Sequence, residues 1–444
     1  MANLHQRNLS VENRSSVYEI NTDVHLVLGA IRGAIYDFNS GKVYSVNKKA
    51  VEILLGNIED SNYEDKLRGM GLLWEEKRKV SPLAEKEREP NQNVNFAWLE
   101  IEDRCNEKCI HCYGSFGFEP ARYEDRITHK KWKEIIEELY SDNVRKIQFI
   151  GGEPFKYKDI STGKDVFDLI KHAIDIGFDP SHIEVFTNGT MLTEGRVAKI
   201  KESGVHVAVS IYSSEQKVHD TITRVPGSHR LTMKGINRLV RCGVPFRIGF
   251  VVMRENEHTV DKTKEVLSKL GIHKIEPDTI RPTGSGSHDS LRPSSDFIKK
   301  CGLQMEPDFI ANKEKFARNK IQNPCLNGKI AITVNGTILP CVFARNQSFG
   351  NIKYKSLKEI MQNDEIKRIW GVTLDHVLIC KDCEYRYGCF DCRPLASDTN
   401  GGVRFYDSPP ARCTYNPYTE EWGKGVWKIV GEKPNYVFFE TGDV

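Results

Sequence analysis

The 444-residue chain has no apolar run approaching the ~18 residues that a membrane span needs. Its first residues, MANLHQRNLSVENRSS, lack the apolar stretch of a secretory signal. Charge of one sign is also missing. With 64 basic and 61 acidic side chains the net charge is +3, so bulk electrostatics call for no nucleic-acid partner. Short basic runs such as KEREP and KIKES are interspersed with acids and read as solvated surface. No internal repeat shows beyond a strand–helix period. These absences predict a cytoplasmic protein with no membrane partner, in a compartment that keeps thiols reduced. The length exceeds one ordinary core, so two or three domains are expected.

What the chain does have is cysteine, twelve in all. With a disulfide framework disfavoured, their arrangement becomes a question about metals. Ten are grouped: Cys105, Cys109 and Cys112, then Cys325, Cys341, Cys380, Cys383, Cys389, Cys392 and Cys413. Cys242 and Cys301 stand alone and read as ordinary thiols.

Residues 1–90 read as a small α+β module. GAIYDFNSGKVYSVN gives two strands around an Asn-Ser-Gly turn, KKAVEILLG a short helix closed by Gly56, and YEDKLRGMGLLWEE a further helix. SPLAEKEREPNQN is the expected charged linker. From 91 to 290 six strand patterns (FAWLEIE, RKIQFI, IEVFT, VHVAVSI, PFRIGFVVM, KIEPDTI) alternate with helical ones. In WKEIIEELY the apolar residues Trp132, Ile135, Ile136, Leu139 and Tyr140 share one helical face. Such alternation predicts an α/β fold with right-handed crossovers, a parallel sheet or a partial barrel. Chemistry on such folds sits at the C-terminal strand ends, where Cys105 falls. Residues 291–322 connect to a cysteine-punctuated region at 323–415, and 416–444 form an aromatic-rich tail to which the sequence assigns no role.

CNEKCIHCY places three thiols at C-x3-C-x2-C with no fourth partner nearby. Structural zinc sites usually arrive as two CxxC pairs, although a zinc site stays open on this motif alone. Three thiolates can instead hold three irons of a [4Fe–4S] cluster and leave the fourth for a small molecule. After the second strand comes KIQFIGGEP, where Gly151 and Gly152 allow close backbone approach and Glu153 offers an acceptor for a ligand ammonium. An ordinary strand-end turn is the plainer reading of that motif taken by itself.

Together, C-x3-C-x2-C after one strand and GGEP after the next resemble the radical SAM superfamily over residues 95–284. The resemblance implies a partial (β/α)6 barrel whose open iron binds S-adenosylmethionine (SAM). Reductive cleavage there yields a 5′-deoxyadenosyl radical that takes a hydrogen from substrate. FTNGT (Phe186–Thr190) and VAVSIYSSEQKVHDTITRVPGS resemble further family segments, and point to Ser210 and Arg224 as SAM contacts beside Gly151, Gly152 and Glu153. His111 stands where the family often has Tyr or Phe, and reads as packing or hydrogen bonding near the cluster.

The later cysteines alone would favour zinc. Downstream of such a core, C-x10-G-x4-C and CKDCEYRYGCFDC resemble the SPASM extension, which implies two auxiliary [4Fe–4S] clusters. Family pairing places Cys325, Cys341 and Cys392 around one, and Cys380, Cys383, Cys389 and Cys413 around the other. The last step of the run is C-x2-C where the family has C-x3-C. No eighth cysteine lies between Cys325 and Cys341, so the first auxiliary cluster is expected to have an open iron or a borrowed ligand.

Enzymes of this kind act mostly on peptides or proteins. The resemblance implies a maturase of a ribosomally synthesised precursor peptide with a leader, forming a thioether or C–C cross-link. Its partners would be an external electron donor and, in some systems, a separate leader-binding protein. The N-terminal module is loosely similar to a winged-helix leader-binding module, with a structural cap on the barrel as the equal alternative. Sulfatase-maturase-like oxidation of a protein Cys or Ser, and peptide epimerisation or excision, remain open, as does a zinc-binding, non-enzymatic scaffold. Tyr212 and Asp278, near strand ends, are the candidate catalytic bases.

Overall fold

A sheet buried on both faces begins the described part of the chain. The computed structural model describes residues 17–71, 81–82, 93–117, 122–302 and 304–439. Val17–Asn21 (β1), Val24–Leu28 (β2), Gly33–Asp37 (β3), Lys42–Val46 (β4) and the short Ser81–Pro82 (β5) form an antiparallel sheet ordered β4-β3-β2-β1-β5. The turn after β3 is held by the Asp37 carboxylate, which accepts from the Asn39 N–H at 3.0 Å and the Ser40 hydroxyl at 2.7 Å. Helices Lys48–Leu54 (α1) and Ser61–Gly69 (α2), capped by Asn47 and Asp60, cover the face carrying Val24, Leu26, Ile35 and Val46.

The opposite face, with Val17, Val27, Ala34 and Tyr36, packs on Phe316, Tyr385, Tyr387 and Tyr415 of the C-terminal region. Burial on both faces explains why the sequence reading found two strands where the sheet has five. VHLVL lacks the polar alternation that marks a half-exposed strand. Most of the GLL ending and of the expected linker at 81–93 lies outside the described residues.

The core strands Phe96–Glu102 (β6), Lys146–Gly151 (β7), Ile183–Thr187 (β8), His206–Ser210 (β9), Phe246–Val252 (β10) and Pro277–Thr279 (β11) pair in parallel. Between them run His129–Ser141 (α3), Val166–Asp175 (α4), Glu194–Ser203 (α5), Gln216–Thr223 (α6), Ser228–Cys242 (α7) and Val260–Ser268 (α8). This is the expected α/β half-barrel. Ala97, Leu99 and Ile101 pack with Trp132, Ile135, Ile136 and Leu139 of α3, all fully or almost fully buried, each Leu or Ile among them worth about 2 kcal/mol. Alternation puts Trp98, Glu100 and Glu102 on the other face.

Helices Ser295–Lys300 (α9) and Lys313–Ile321 (α10) lead to Lys329–Ile332 (β12), which pairs in parallel with β6. Thr337–Leu339 (β13) and Gly350–Asn351 (β14) extend the sheet to nine strands, ordered β11-β10-β9-β8-β7-β6-β12-β13-β14. Leu357–Met361 (α11), Asp364–Trp370 (α12) and Arg393–Thr399 (α13) follow. The tail is ordered as the hairpin Gly425–Val430 (β15) and Lys433–Phe438 (β16), with Trp427 Nε1 donating to the Tyr415 carbonyl at 2.8 Å. No helix among the described residues is long and apolar enough to cross a membrane.

Arg386 locks the N-terminal sheet to the C-terminal region. Its buried guanidinium donates to the Leu28 carbonyl at 2.9 Å, the Cys383 carbonyl at 2.6 Å and Asp375 Oδ1 at 2.7 Å. His25 of β2 lies at the same contact, stacked on Phe316 at 5.3 Å, and burial lowers its pKa from the usual 6.5. The undocked state therefore takes up the proton first. Docking is at full strength above pH ~6.5 and weakens as the pH falls below it. Protease release of the N-terminal module should accelerate between pH 8 and 5.5, and His25→Phe should flatten that dependence.

Candidate iron–sulfur and SAM site

The first thiol group hangs on a strand end that its neighbours crowd. A register shift between Glu100 and Glu102 lets Gly151 pair with Glu102. The glycine pair then runs against the backbone entering the thiol loop. A Cβ on Gly151 would lie 2.1 Å from the Glu102 carbonyl oxygen, and one on Gly152 would lie 2.4 Å from that of Arg104. The Gly152 N–H donates to Glu102 at 2.6 Å and the Glu153 N–H to Arg104 at 3.1 Å. These glycines thus serve the chain's own packing as well as any ligand.

The Glu153 carboxylate is fully buried and accepts from the Phe155 N–H (3.1 Å), the Asn188 N–H (2.9 Å) and the Thr187 hydroxyl (2.8 Å). That side chain ties β7 to the turn after β8, so what the motif turns toward a ligand is its backbone.

Several N–H groups point at the thiols. The Glu107 N–H reaches Cys105 Sγ at 3.4 Å, the Phe116 N–H reaches Cys112 Sγ at 3.3 Å, and Asn188 Nδ2 lies 3.9 Å from Cys105 Sγ. Donors of this kind stabilise a thiolate-bound cluster. The loop is pinned from α6 by Lys108 N–H to Thr223 and Ile110 N–H to Ile222, at 3.1 and 3.0 Å. On the other side the Ser285 N–H donates to the Cys112 carbonyl at 2.9 Å. Gly284 (φ +61) makes that approach possible, since a Cβ there would sit 2.4 Å from the Tyr113 carbonyl oxygen.

Burial pushes the Cys105 thiol up to about 12 and the Cys109 thiol well above its ordinary value, so iron must displace their protons. Behind the loop, Glu107 contacts the Ser228 hydroxyl and Cys109, and burial raises its carboxyl to about 7. Sequence reasoning missed Glu107, Ser228 and Asn188. All three lie in quoted segments, Glu107 in CNEKC, Asn188 in FTNGT and Ser228 at the end of VAVSIYSSEQKVHDTITRVPGS.

The remaining candidates are spread out. Ser210 ends β9, with its side chain against that of Tyr212. Tyr212 is buried, packs edge-on against His111 at 4.6 Å, and has its phenol pushed well above the ordinary range by burial. Desolvation lowers the half-buried His111 to about 4. Arg224 is exposed at the left-handed C-cap of α6 (φ 56). Asp278 is exposed and ion-paired to Arg281 at 2.7 Å.

A cavity of about 500 Å³ opens beside Cys112. Its polar lining includes Glu100, Asp103, Ser115, Thr333, Asn335 and Arg345, and neither Tyr212 nor Asp278 borders it. Arg345 donates to both Glu100 oxygens at 2.6 and 2.9 Å, and its guanidinium lies 5.1 Å from the Tyr113 ring and 5.5 Å from the Phe116 ring.

The later thiols fall into two sets. Cys325, Cys341 and Cys392 lie within electrostatic reach of one another, as do Cys380, Cys383, Cys389 and Cys413. Buried Asp391 bridges the sets from within the C-x2-C step. It accepts from Arg393 at 2.5 Å and from Asn323 Nδ2 at 3.0 Å, and Asn323 Oδ1 in turn accepts the Cys325 N–H at 3.0 Å. All twelve cysteines are unpaired. Among the described residues no three His, Cys, Asp or Glu side chains converge tightly enough for a single metal ion. An all-thiol donor set with that wider spread fits polynuclear iron–sulfur clusters better than zinc.

Residues 99–267 match the family model of the radical SAM superfamily, and residues 325–384 match that of the SPASM iron–sulfur cluster-binding domain. The chain is a radical SAM enzyme with an SPASM domain. Its cofactors are a [4Fe–4S] cluster with SAM in the core, and iron–sulfur in the SPASM domain. The enzyme is similar to an AdoMet-dependent heme synthase of Methanosarcina barkeri, 27% identical over 353 residues, which cover 72% of this chain and 96% of that protein. It is also similar to a PqqA peptide cyclase of Bradyrhizobium diazoefficiens, 25% identical over 348 residues, covering 72% of this chain and 86% of the other. In fold it resembles Streptococcus suis SuiB bound to precursor peptide SuiA, with a TM-score of 0.53 and 14% identity over 85% of this chain and 96% of that one.

Replacing Cys105, Cys109 and Cys112 together by Ala should remove about four irons per chain. It should abolish SAM cleavage and leave the SPASM iron, as read by iron and sulfide analysis.

Proposed function

We propose that this enzyme is a maturase of a ribosomally synthesised peptide, which it oxidises to form a thioether or carbon–carbon cross-link. The observation that carries the reading is the cavity beside Cys112. Its hydroxyls, carboxamide and paired charges suit a peptide's amides and polar side chains, where a tetrapyrrole would need a broad apolar slot. The peptide cyclase relative points the same way.

In this reading Cys105, Cys109 and Cys112 hold the core cluster. The Gly151–Gly152 backbone, Ser210 and Arg224 contact SAM. The bound cofactor supplies a 5′-deoxyadenosyl radical that takes hydrogen from the substrate. Arg345, stacked on Tyr113 and Phe116 and clamped by Glu100, orients the peptide at the cavity floor. Burial raises the Glu100 carboxyl against the pull of Arg345. Cys325, Cys341 and Cys392 hold one auxiliary cluster, and Cys380, Cys383, Cys389 and Cys413 the other. Residues 1–90 act as a leader-contacting module, 91–290 as the core and 323–415 as the auxiliary-cluster domain. Ten thiolate ligands fit a reducing cytoplasm with an external electron donor.

The test is mass spectrometry of the short peptide encoded beside the gene, after incubation with reconstituted enzyme, SAM and reductant. Loss of two hydrogens with a cross-linked fragment pattern is the expected result. Unchanged mass with deuterium uptake would mean epimerisation. An untouched peptide would overturn the reading. The identity to the heme synthase favours heme formation as the second reading, to be read from Soret-band absorbance. Arg345→Ala should raise the peptide KM at least about tenfold, the cost of one charge-assisted contact. Uncoupled SAM cleavage should persist.

A further inference from the structure

The first auxiliary thiol set sits in an unusually cationic surround. Arg281 follows β11 and its side chain is largely buried, at 15% exposure. It is clamped by Asp278 at 3.0 and 2.7 Å and by the Thr279 carbonyl at 2.6 Å, and the Cys392 sulfur lies within its electrostatic reach. Its guanidinium lies over Phe343 at 5.6 Å, and its buried Nε has no partner. Arg412, the residue before Cys413, reaches the Thr279 hydroxyl at 3.2 Å, within electrostatic range of both Arg281 and Cys392. Lys329, at the start of β12, acts on Cys325 and Cys341.

Against these three cations stand two carboxylates. Asp278 is shared by the two arginines, and Asp391 is already neutralised by Arg393. The second thiol set differs. Glu384 and Asp391 face its sulfurs, with Lys315 and Arg393 in opposition. Net charge around a cluster is one of the levers that set its reduction potential, because adding an electron makes the cluster more negative. A cationic surround therefore favours the reduced state.

We propose that Arg281 is a positioning residue that, with Arg412 and Lys329, raises the reduction potential of the cluster held by Cys325, Cys341 and Cys392, making it the more oxidising of the two auxiliary clusters. The half-reaction is one electron onto a [4Fe–4S]2+ core, with no bond made or broken and no proton required. The electron comes from the oxidised substrate. The inference rests on the reading of those three cysteines as cluster ligands.

The experiment is an anaerobic redox titration of the holoenzyme followed by electron paramagnetic resonance. The core wave is the one whose signal SAM changes. With Arg281→Gln, one of the two other waves should move to more negative potential while its neighbour stays in place. Arg281→Lys, which keeps the charge, should restore most of the shift, and Asp278→Asn should move the same wave in the positive direction. If Arg281→Gln loses iron, Arg412→Gln and Asp278→Asn at full iron content carry the test, with expected shifts of opposite sign. Waves unmoved at full iron, or both auxiliary waves moving together, would overturn the proposal. Absence of auxiliary iron from the unsubstituted enzyme would instead overturn the ligand reading beneath it.

Discussion

Everything in this molecule depends on one parallel strand pairing across more than two hundred residues of sequence. Lys329–Ile332 adds to the open side of Phe96–Leu99, so the strand that delivers the first thiol loop is also the strand on which the C-terminal domain is built. Without that pairing β6 would be an edge, with unpaired N–H and C=O groups beside the chemistry. With it, Arg345 can enter from the C-terminal domain and meet Glu100 on the inner face of β6. Gly284 can likewise close on Cys112 from the far end of the half-barrel. The two iron–sulfur regions share a wall and could not be separated by cutting the chain between them.

Rigid placement of the thiols follows from backbone contacts more than from side-chain packing. Gly151 and Gly152 press on the carbonyls of Glu102 and Arg104, and carbonyls of α6 accept from the Lys108 and Ile110 N–H groups on either side of Cys109. In the C-terminal domain the same task falls to a buried Asn323–Asp391–Arg393 network, which orients Cys325 by its own amide. Such a network is costly to leave half-made, which keeps the loop in a single arrangement before iron arrives. The shortened C-x2-C step is accommodated there. Phe390 turns outward while Asp391 turns in, and Cys392 still reaches Cys325.

Much of this was legible in the sequence because the signals were local. The six core strands carry their own apolar patterns, and Cys105, Cys109 and Cys112 declare themselves by spacing. The N-terminal sheet was half hidden, since β2 is buried on both faces and shows no alternation. Arg345, Arg281 and Asp391 were invisible for a different reason. Each owes its role to a partner far along the chain, and a lone basic or acidic residue carries no mark of that partner. Glu153 was legible as important, although its carboxylate turned out to brace the turn after β8.

The docking of the N-terminal sheet has a consequence for biosynthesis. Its second face is completed only by Phe316, Tyr385, Tyr387 and Tyr415, so the growing chain leaves the ribosome with an apolar sheet surface bare until almost the whole protein has been made. That surface is also the cover of Cys383 and Cys389, which Tyr36 approaches from the N-terminal side. The covering sheet is therefore made long before the thiols it comes to cover, and its apolar face stays bare until the segment that carries them has been synthesised.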